Sequence, residues 1–405
     1  NDELIYGMET TIVFVHNSES INDEVNANAD DYTPLILDSE SKNEKRSFSY
    51  LIYTLDIILS LFLFGPLVSF YWNSSWEFLD LFFFVNEPEL SNFICWILGL
   101  LIIFPTYLFQ KSFEGLNTSF ERSAKFKSKI FQIIIRTCYI YTLGLGVLLQ
   151  WRGLWNLIDI FFFKDWKRQM ILSIICIGFL SLTRATKILL SNPFILYRDD
   201  YGQFYTGASR HKFEIPDCHQ FSFDFVLSEL VECLALTGAW KGIDNFYYEF
   251  LFPNDELHSL IASFAISHFL FLVMLLLQHM IFKQCSTKSL FPRLIIENVL
   301  NIIMFFIAVL YWKFYWDIME DYMVNIFEPD ALFEILIATH FLSFFIGFVL
   351  KASGLLIGPA ARLLDGEYEE NSDSYIDIDY LKSIFKKNRT DEGVSKIMVI
   401  QHTED

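Results

Sequence analysis

The stretch Trp151-Arg152-Gly153-Leu154-Trp155-Asn156-Leu157-Ile158-Asp159 closes a long apolar run, with two tryptophans and an acid at every fourth position. The spacing returns at Trp72, Trp76, Asp80 and at Trp312, Trp316, Glu320, and in degenerate form at Trp240, Asp244, Tyr248. Seven of the nine tryptophans belong to it. An α-helix turns by about 100° per residue, so positions i, i+4 and i+8 share one slowly drifting stripe. At the end of an apolar span such a stripe is expected to carry its indoles at the membrane interface. An ordinary aromatic belt accounts for any single occurrence, whereas four at the same place in the topology point to internal duplication. A phenylalanine follows twelve residues after the first Trp at Phe84, Phe163 and Phe252, and after three more residues at Phe327.

Around the motif the composition is that of a polytopic membrane protein: 53% apolar residues and 44 Phe in 405, more apolar surface than one soluble core uses. A crossing takes about 20 helical residues. Eight stretches reach that length, near 49–72, 89–110, 130–151, 169–191, 222–240, 258–282, 293–313 and 331–352. They lack the alternation of barrel strands, so the expected fold is all-α, with eight transmembrane helices as four pseudo-repeated helical hairpins (about 49–110, 130–191, 222–282, 293–352) within a domain spanning 48–352. Residues 1–47 read as a disordered acidic cytosolic tail and 353–405 as an acidic cytosolic tail. The first tail has no apolar core of a signal peptide. Leu355-Leu356-Ile357 and the patch from Ala360 to Leu364 are expected along the inner leaflet.

Charge sets the expected orientation. Eighteen Lys and Arg fall on the side of the termini, among them Lys111, Lys125, Arg184, Arg198, Lys283 and Lys351. The opposite connections hold six: Arg152, Lys164, Lys167, Arg168, Lys241 and Lys313. The positive-inside rule then places both termini in the cytosol. The opposite connections are also acidic, which would gather cations or merely solvate short loops. Glu87-Pro88-Glu89, Asn254-Asp255-Glu256 and Glu328-Pro329-Asp330 have the form of helix starts, with acids facing the positive dipole end.

The ionisable residues inside spans are the candidate polar site: Glu229 and Glu232 on the fifth, His268 on the sixth, Glu297 on the seventh and His340 on the eighth. A charge near the bilayer centre costs about 2.5–3.5 kcal/mol on insertion scales and is kept for pairing, a cavity or transport. Hydrogen bonds to neighbouring helices, or a symmetric His268–His340 pair, are the structural alternative to conduction. Asp56 and Arg136 lie nearer the cytosolic ends, and Asp199-Asp200 reads as a solvated acid pair.

Several classes are disfavoured. No phosphate loop, nucleophile elbow or His-Glu-x-x-His is present, so neither catalytic residues nor an enzyme is expected, and no cofactor or metal. Nothing points to nucleic acid. The six cysteines fall in spans or cytosolic loops, which argues against a disulfide framework. Asn73-Ser74-Ser75 is an outward glycosylation sequon that abuts the membrane. Tyr32-Thr33-Pro34-Leu35 and Tyr375-Ile376-Asp377-Ile378 have the form that trafficking adaptors read.

Trp151-Arg152-Gly153-Leu154-Trp155, its weaker echo Trp240-Lys241-Gly242-Ile243-Asp244, the eight spans and the acidic ends together resemble the Fuseless family of invertebrate multipass proteins over roughly residues 49–352. The resemblance implies a neuronal plasma-membrane protein of presynaptic terminals, needed for synaptic transmission and for positioning calcium channels or scaffold partners. It implies no catalytic residues. Two expectations therefore stand: a membrane organiser whose cytosolic segments 111–129 and 198–212 hold partners, or a channel or secondary transporter for a cation or small solute with an acidic outer vestibule.

Overall fold

A computed structural model of the chain describes residues 49–122, 125–162, 164–199, 217–285, 287–323, 331–357, 365 and 375–384. The acidic stretch 1–47, Phe163, Asp200, Phe327, the Glu328-Pro329-Asp330 start, the 201–212 basic segment, the patch from Ala360 to Leu364, the Tyr32 motif and Cys218's side chain lie outside the described residues.

The fold is all-α. Among the described residues, six helices are long and apolar enough to cross a membrane: Ser49–Phe82, Pro88–Phe120, Phe126–Phe162, Glu256–Cys285, Leu290–Asp321 and Leu332–Val349. We label the helices α1 (Ser49–Phe82), α2 (Pro88–Arg122), α3 (Phe126–Phe162), α4 (Trp166–Leu182), α5 (217–250), α6 (Glu256–Cys285), α7 (290–323) and α8 (Leu332–Val349). The remaining two depart from the six for physical reasons. α4 has only 17 residues and opens with Lys167 and Arg168, and α5 carries Asp224, Glu229, Glu232, Lys241 and Asp244 along its length. Outward faces such as Ile171, Ile174 and Ile175 on α4 and Phe341, Leu342 and Phe345 on α8 are exposed hydrocarbon, as in a membrane protein.

Lateral packing runs between the expected hairpins rather than along each of them. α2 lies along α3, α4 along α5, α6 along α7, and α8 along α1, so the first and last helices close a ring. Glycine sets two of these seams. A Cβ on Gly153 of α3 would sit 2.6 Å from the Asn92 carbonyl oxygen of α2, and one on Gly242 of α5 would collide with the Gln169 backbone and the Ser173 side chain of α4. Only hydrogen at these positions lets the backbones meet.

Among the described residues, three helices contain π-helical turns: Ser60–Phe64 in α1, Val226–Glu232 in α5 and Ile318–Met323 in α7. In α1 the turn precedes Gly65-Pro66, where proline supplies no amide to the preceding turn. Tyr311 of α7 fills the disturbed turn, its hydroxyl donating to the Leu61 carbonyl at 2.6 Å, with Tyr315 donating to the same oxygen at 3.2 Å.

The two connections following α1 and α5 are built alike. Phe84 and Phe252 take left-handed φ values of 51° and 54°, and Glu87 and Asp255 each donate their amide back to that phenylalanine at 3.0 Å. In these two connections the recurring phenylalanine marks the reversal of the chain, whereas after α3 the left-handed residue is Lys164 (φ 50°). Asp255 then caps α6 by accepting from the His258 amide at 3.0 Å.

At the opposite end, α4 and α8 stop early and the chain turns under the bundle. Arg184 and Lys351 are left-handed (φ 58° and 54°), and short 3₁₀ turns follow at Thr186–Leu189 and Ser353–Ile357. The carboxylate of Asp365 accepts from the Thr186 amide and hydroxyl, both at 2.7 Å, and from the Lys187 amide at 3.0 Å. Asp199 treats the other turn identically, accepting from the Ser353 amide (2.9 Å) and hydroxyl (2.6 Å) and the Gly354 amide (2.8 Å). Each aspartate also donates its own amide at 2.8 Å to the left-handed residue, Asp365 to Arg184 and Asp199 to Lys351. The segment after α4 therefore clasps the turn after α8, and the reverse. Asp199, expected to be solvated, is one half of this device. Leu355 and Leu356, expected along a leaflet, are buried inside the bundle.

The described part of the C-terminal region docks at this end too. Asp377–Ile378 pairs in parallel with Ile195–Leu196, burying Ile376 and Ile378. Asp56 of α1 accepts from the Leu381 amide at 2.7 Å. The Tyr375 motif is thus folded into the bundle and unavailable, in this arrangement, to an adaptor.

Candidate functional site

The motif tryptophans point inward. Trp72, Trp76, Trp151 and Trp240 are buried, and Trp155, Trp312 and Trp316 pack partly buried against the same core. The expected interface belt is overturned, because the i, i+4 stripe faces the bundle axis instead of the headgroups. Trp72, Trp151, Trp240 and Trp312 form a closed ring of edge-to-face contacts, with centroids 5.7, 6.1, 5.8 and 5.9 Å apart around it. T-shaped pairs bring the positive edge of one ring onto the negative face of the next, worth about 0.5–1.5 kcal/mol each beyond burial. Two indoles are anchored from below by the buried turns: Trp72 Nε1 donates to the Leu356 carbonyl at 2.9 Å and Trp312 Nε1 to that of Asn192 at 3.1 Å.

One helical turn further on, Trp76 contacts Trp155 (6.0 Å) and Trp316 (5.6 Å) edge-to-face. The corresponding position on α5 is Asp244, which lies within electrostatic reach of Lys241, Lys313, Asp317 and Asp159.

The residue following each first tryptophan is Asn73, Arg152, Lys241 or Lys313, and all four are buried. Arg152 donates from Nη2 (2.6 Å) and Nε (2.9 Å) to Asp80 Oδ1 on α1, and from Nη1 to Ser91 Oγ at 3.3 Å and Cys95 Sγ at 3.1 Å on α2. Lys241 Nζ lies 3.0 Å from Asp159 Oδ2 on α3 and 4.6 Å over the Trp155 ring. Lys313 Nζ pairs with Asp317, donates to Ser259 Oγ at 3.2 Å and lies 4.1 Å over the Tyr248 ring of α5. Tyr248 in turn donates to Asp317 Oδ1 at 2.7 Å. Each base therefore reaches the third motif position of the preceding occurrence: Asp80, Asp159 or Tyr248. These groups were assigned to loops from sequence, but the helices run on through them, and the acids and bases interlock instead of solvating a loop. A base directly after Trp in three of four occurrences was the available signal.

The fourth junction differs. Asn73 stands where the bases stand, and no partner is found for its amide oxygen or nitrogen among the described residues. Its burial inside α1 also removes the sequon from solvent. The preceding acid, Glu320, accepts from Trp316 Nε1 and lies within electrostatic reach of Glu77 on α1.

The intramembrane candidates do not converge on one place. Glu229, in the α5 π-turn, accepts from Tyr107 Oη at 2.8 Å, while its backbone carbonyl accepts from Gln150 Nε2 at 2.7 Å. Glu232 and Glu297 are buried on α5 and α7. His340 bonds Ser75 Oγ through Nδ1 (2.6 Å) and Tyr141 Oη through Nε2 (3.0 Å), stacked on Tyr71. His268 places Nδ1 2.8 Å from its own helix's Phe264 carbonyl and stacks on Phe62. With both His340 nitrogens engaged elsewhere, the two histidines do not form a pair. No group of three or more His, Cys, Asp or Glu with metal-binding geometry occurs among the described residues.

A family model described as Fuseless matches residues 51–356 of the chain. No curated protein matches it, and no solved structure does.

Proposed function

We propose, starting from the fact that the chain belongs to the Fuseless family, that it is a multipass plasma-membrane protein of neurons acting in presynaptic organisation and synaptic transmission. In this reading it positions calcium channels or scaffold partners. The match over residues 51–356 carries the reading, since it includes the motif layer, both clasped turns and all eight helices up to Leu356. We further propose that all eight helices span the bilayer, as four hairpins of one duplicated unit, with both ends cytosolic. The interlocked motif positions and the matched Phe84 and Phe252 reversals support that duplication.

A ring of indoles across the axis favours a packed organiser over axial conduction. The second reading, a cation or small-solute channel or transporter, has the carboxylates of Glu77, Asp244 and Glu320 in its favour. Capture of calcium channels from neuronal membranes by the full-length protein, alongside cation flux in proteoliposomes, separates the two. The organiser reading expects capture without flux, with Glu229→Gln and His268→Ala unchanged. Flux abolished by those substitutions, with no capture, reverses it. Impermeant labelling of single cysteines at residues 85 and 254 on intact cells tests the topology, which expects both to react.

A further inference from the structure

We infer that the junction of Asn73, Glu77 and Glu320 is a binding site for one exchangeable alkali cation, at the place where the other three junctions hold a fixed basic side chain. The inference rests on the four-unit reading above, and sharpens its second alternative without depending on transport.

At three junctions a buried cation meets the preceding unit: guanidinium against Asp80, ammonium against Asp159, ammonium over Tyr248 and beside Asp317. At the fourth the acid is retained as Glu320, a second carboxyl is added as Glu77, and the base is replaced by Asn73. Asn73 and Glu77 are four residues apart on α1 and so share a face. The Asn73 side chain is fully buried with both polar atoms unpartnered, which ordinary packing avoids. An amide oxygen and two carboxyl groups make a hard-oxygen set. The Trp76–Trp316 contact, with Glu320 held by Trp316 Nε1, brings Glu320 beside the turn of α1 that carries Glu77, and two neighbouring carboxylates repel unless a cation lies between them. Glu77 and Glu320 are only half-buried, so neither is sealed within the core. The charged neighbours are Asp80 on α1, Arg152 on α3 and Asp317 on α7. Arg152 is already committed to Asp80. Each of the other three junctions holds one singly charged base, so a monovalent ion is the occupant that restores the pattern.

The test is thermal unfolding of the full-length protein in nanodiscs, in NaCl, KCl or N-methylglucamine chloride at equal ionic strength, from pH 5.5 to 8. Sodium or potassium is expected to raise the midpoint by about 4 °C over N-methylglucamine, more at high pH, where protons compete less for the two carboxyls. Asn73→Lys supplies the missing ammonium and is expected to abolish the response, as is Glu320→Gln. Equal midpoints in the three salts overturn the inference. So does dependence on pH alone, or an Asn73→Lys protein that folds and still responds. If Asn73→Lys does not fold, the equivalence of the four junctions fails, and the wild-type and Glu320→Gln measurements still decide cation binding.

Discussion

The two ends of the bundle are held by different symmetries. At the motif end, four indoles from α1, α3, α5 and α7 meet in one ring, and a base from one helix reaches its predecessor at three of four junctions. At the other end the matched contacts come in twos: Asp365 on the turn after α4, and Asp199 on the turn after α8. The reason is in the residues. A first tryptophan sits in the last third of every odd helix, but Arg184-Ala185-Thr186 and its counterpart Lys351-Ala352-Ser353 follow only α4 and α8. One end thus registers single hairpins and the other registers halves of the molecule.

The sharpest way to break this picture is at the glycine seams. Gly153→Leu and Gly242→Leu drive a side chain into neighbouring backbone and should each cost more than about 3 kcal/mol, seen as loss of monodisperse protein in detergent. Next comes Lys241→Met, which leaves the Asp159 carboxylate inside the bundle without its ammonium; about 3 kcal/mol lower stability in chemical denaturation is expected. At the clasped end, Asp365→Ala and Asp199→Ala each remove an ionised acceptor of three hydrogen bonds, for about 2 kcal/mol apiece. The double variant should lose the sum to within about 0.5 kcal/mol if the clasps act independently. A much larger combined loss would mean that the halves share one lock.

The smallest effect belongs to the α5–α6 turn. The His258 amide and ring hold the Asp255 carboxyl below the usual carboxylate range. A depressed acid contributes stability that is present above its unfolded value, about 3.9, and fades as pH falls through the folded one. The wild type should therefore exceed Asp255→Asn in unfolding midpoint at pH 6, with the gap closing below pH 4.

The helices and the period-four stripe were legible because hydrophobic length and spacing are local properties. The direction of the stripe was not, since tryptophan at i and i+4 serves a lipid interface and a core equally well. Arg152, Lys241 and Lys313 were read as loop bases for a related reason: a charge at the end of an apolar run looks like its terminus until a partner such as Asp80 is seen. Sequence adjacency suggested packing within hairpins, whereas Gly153 and Gly242 place the tightest approach on a neighbour from another hairpin. Asp365 could not be read at all, because its partner Thr186 lies 179 residues away along the chain. Among the candidate polar residues, the sequence identified buried groups, but their scatter over separate partners is a property of tertiary structure.

Packing of α8 against α1 has a consequence for synthesis. Tyr71 and Ser75 of α1 meet their imidazole partner in His340, on the eighth described helix. α1 therefore keeps that face unmatched during translation until α8 has been made, and a chain released between the two retains the defect in α1.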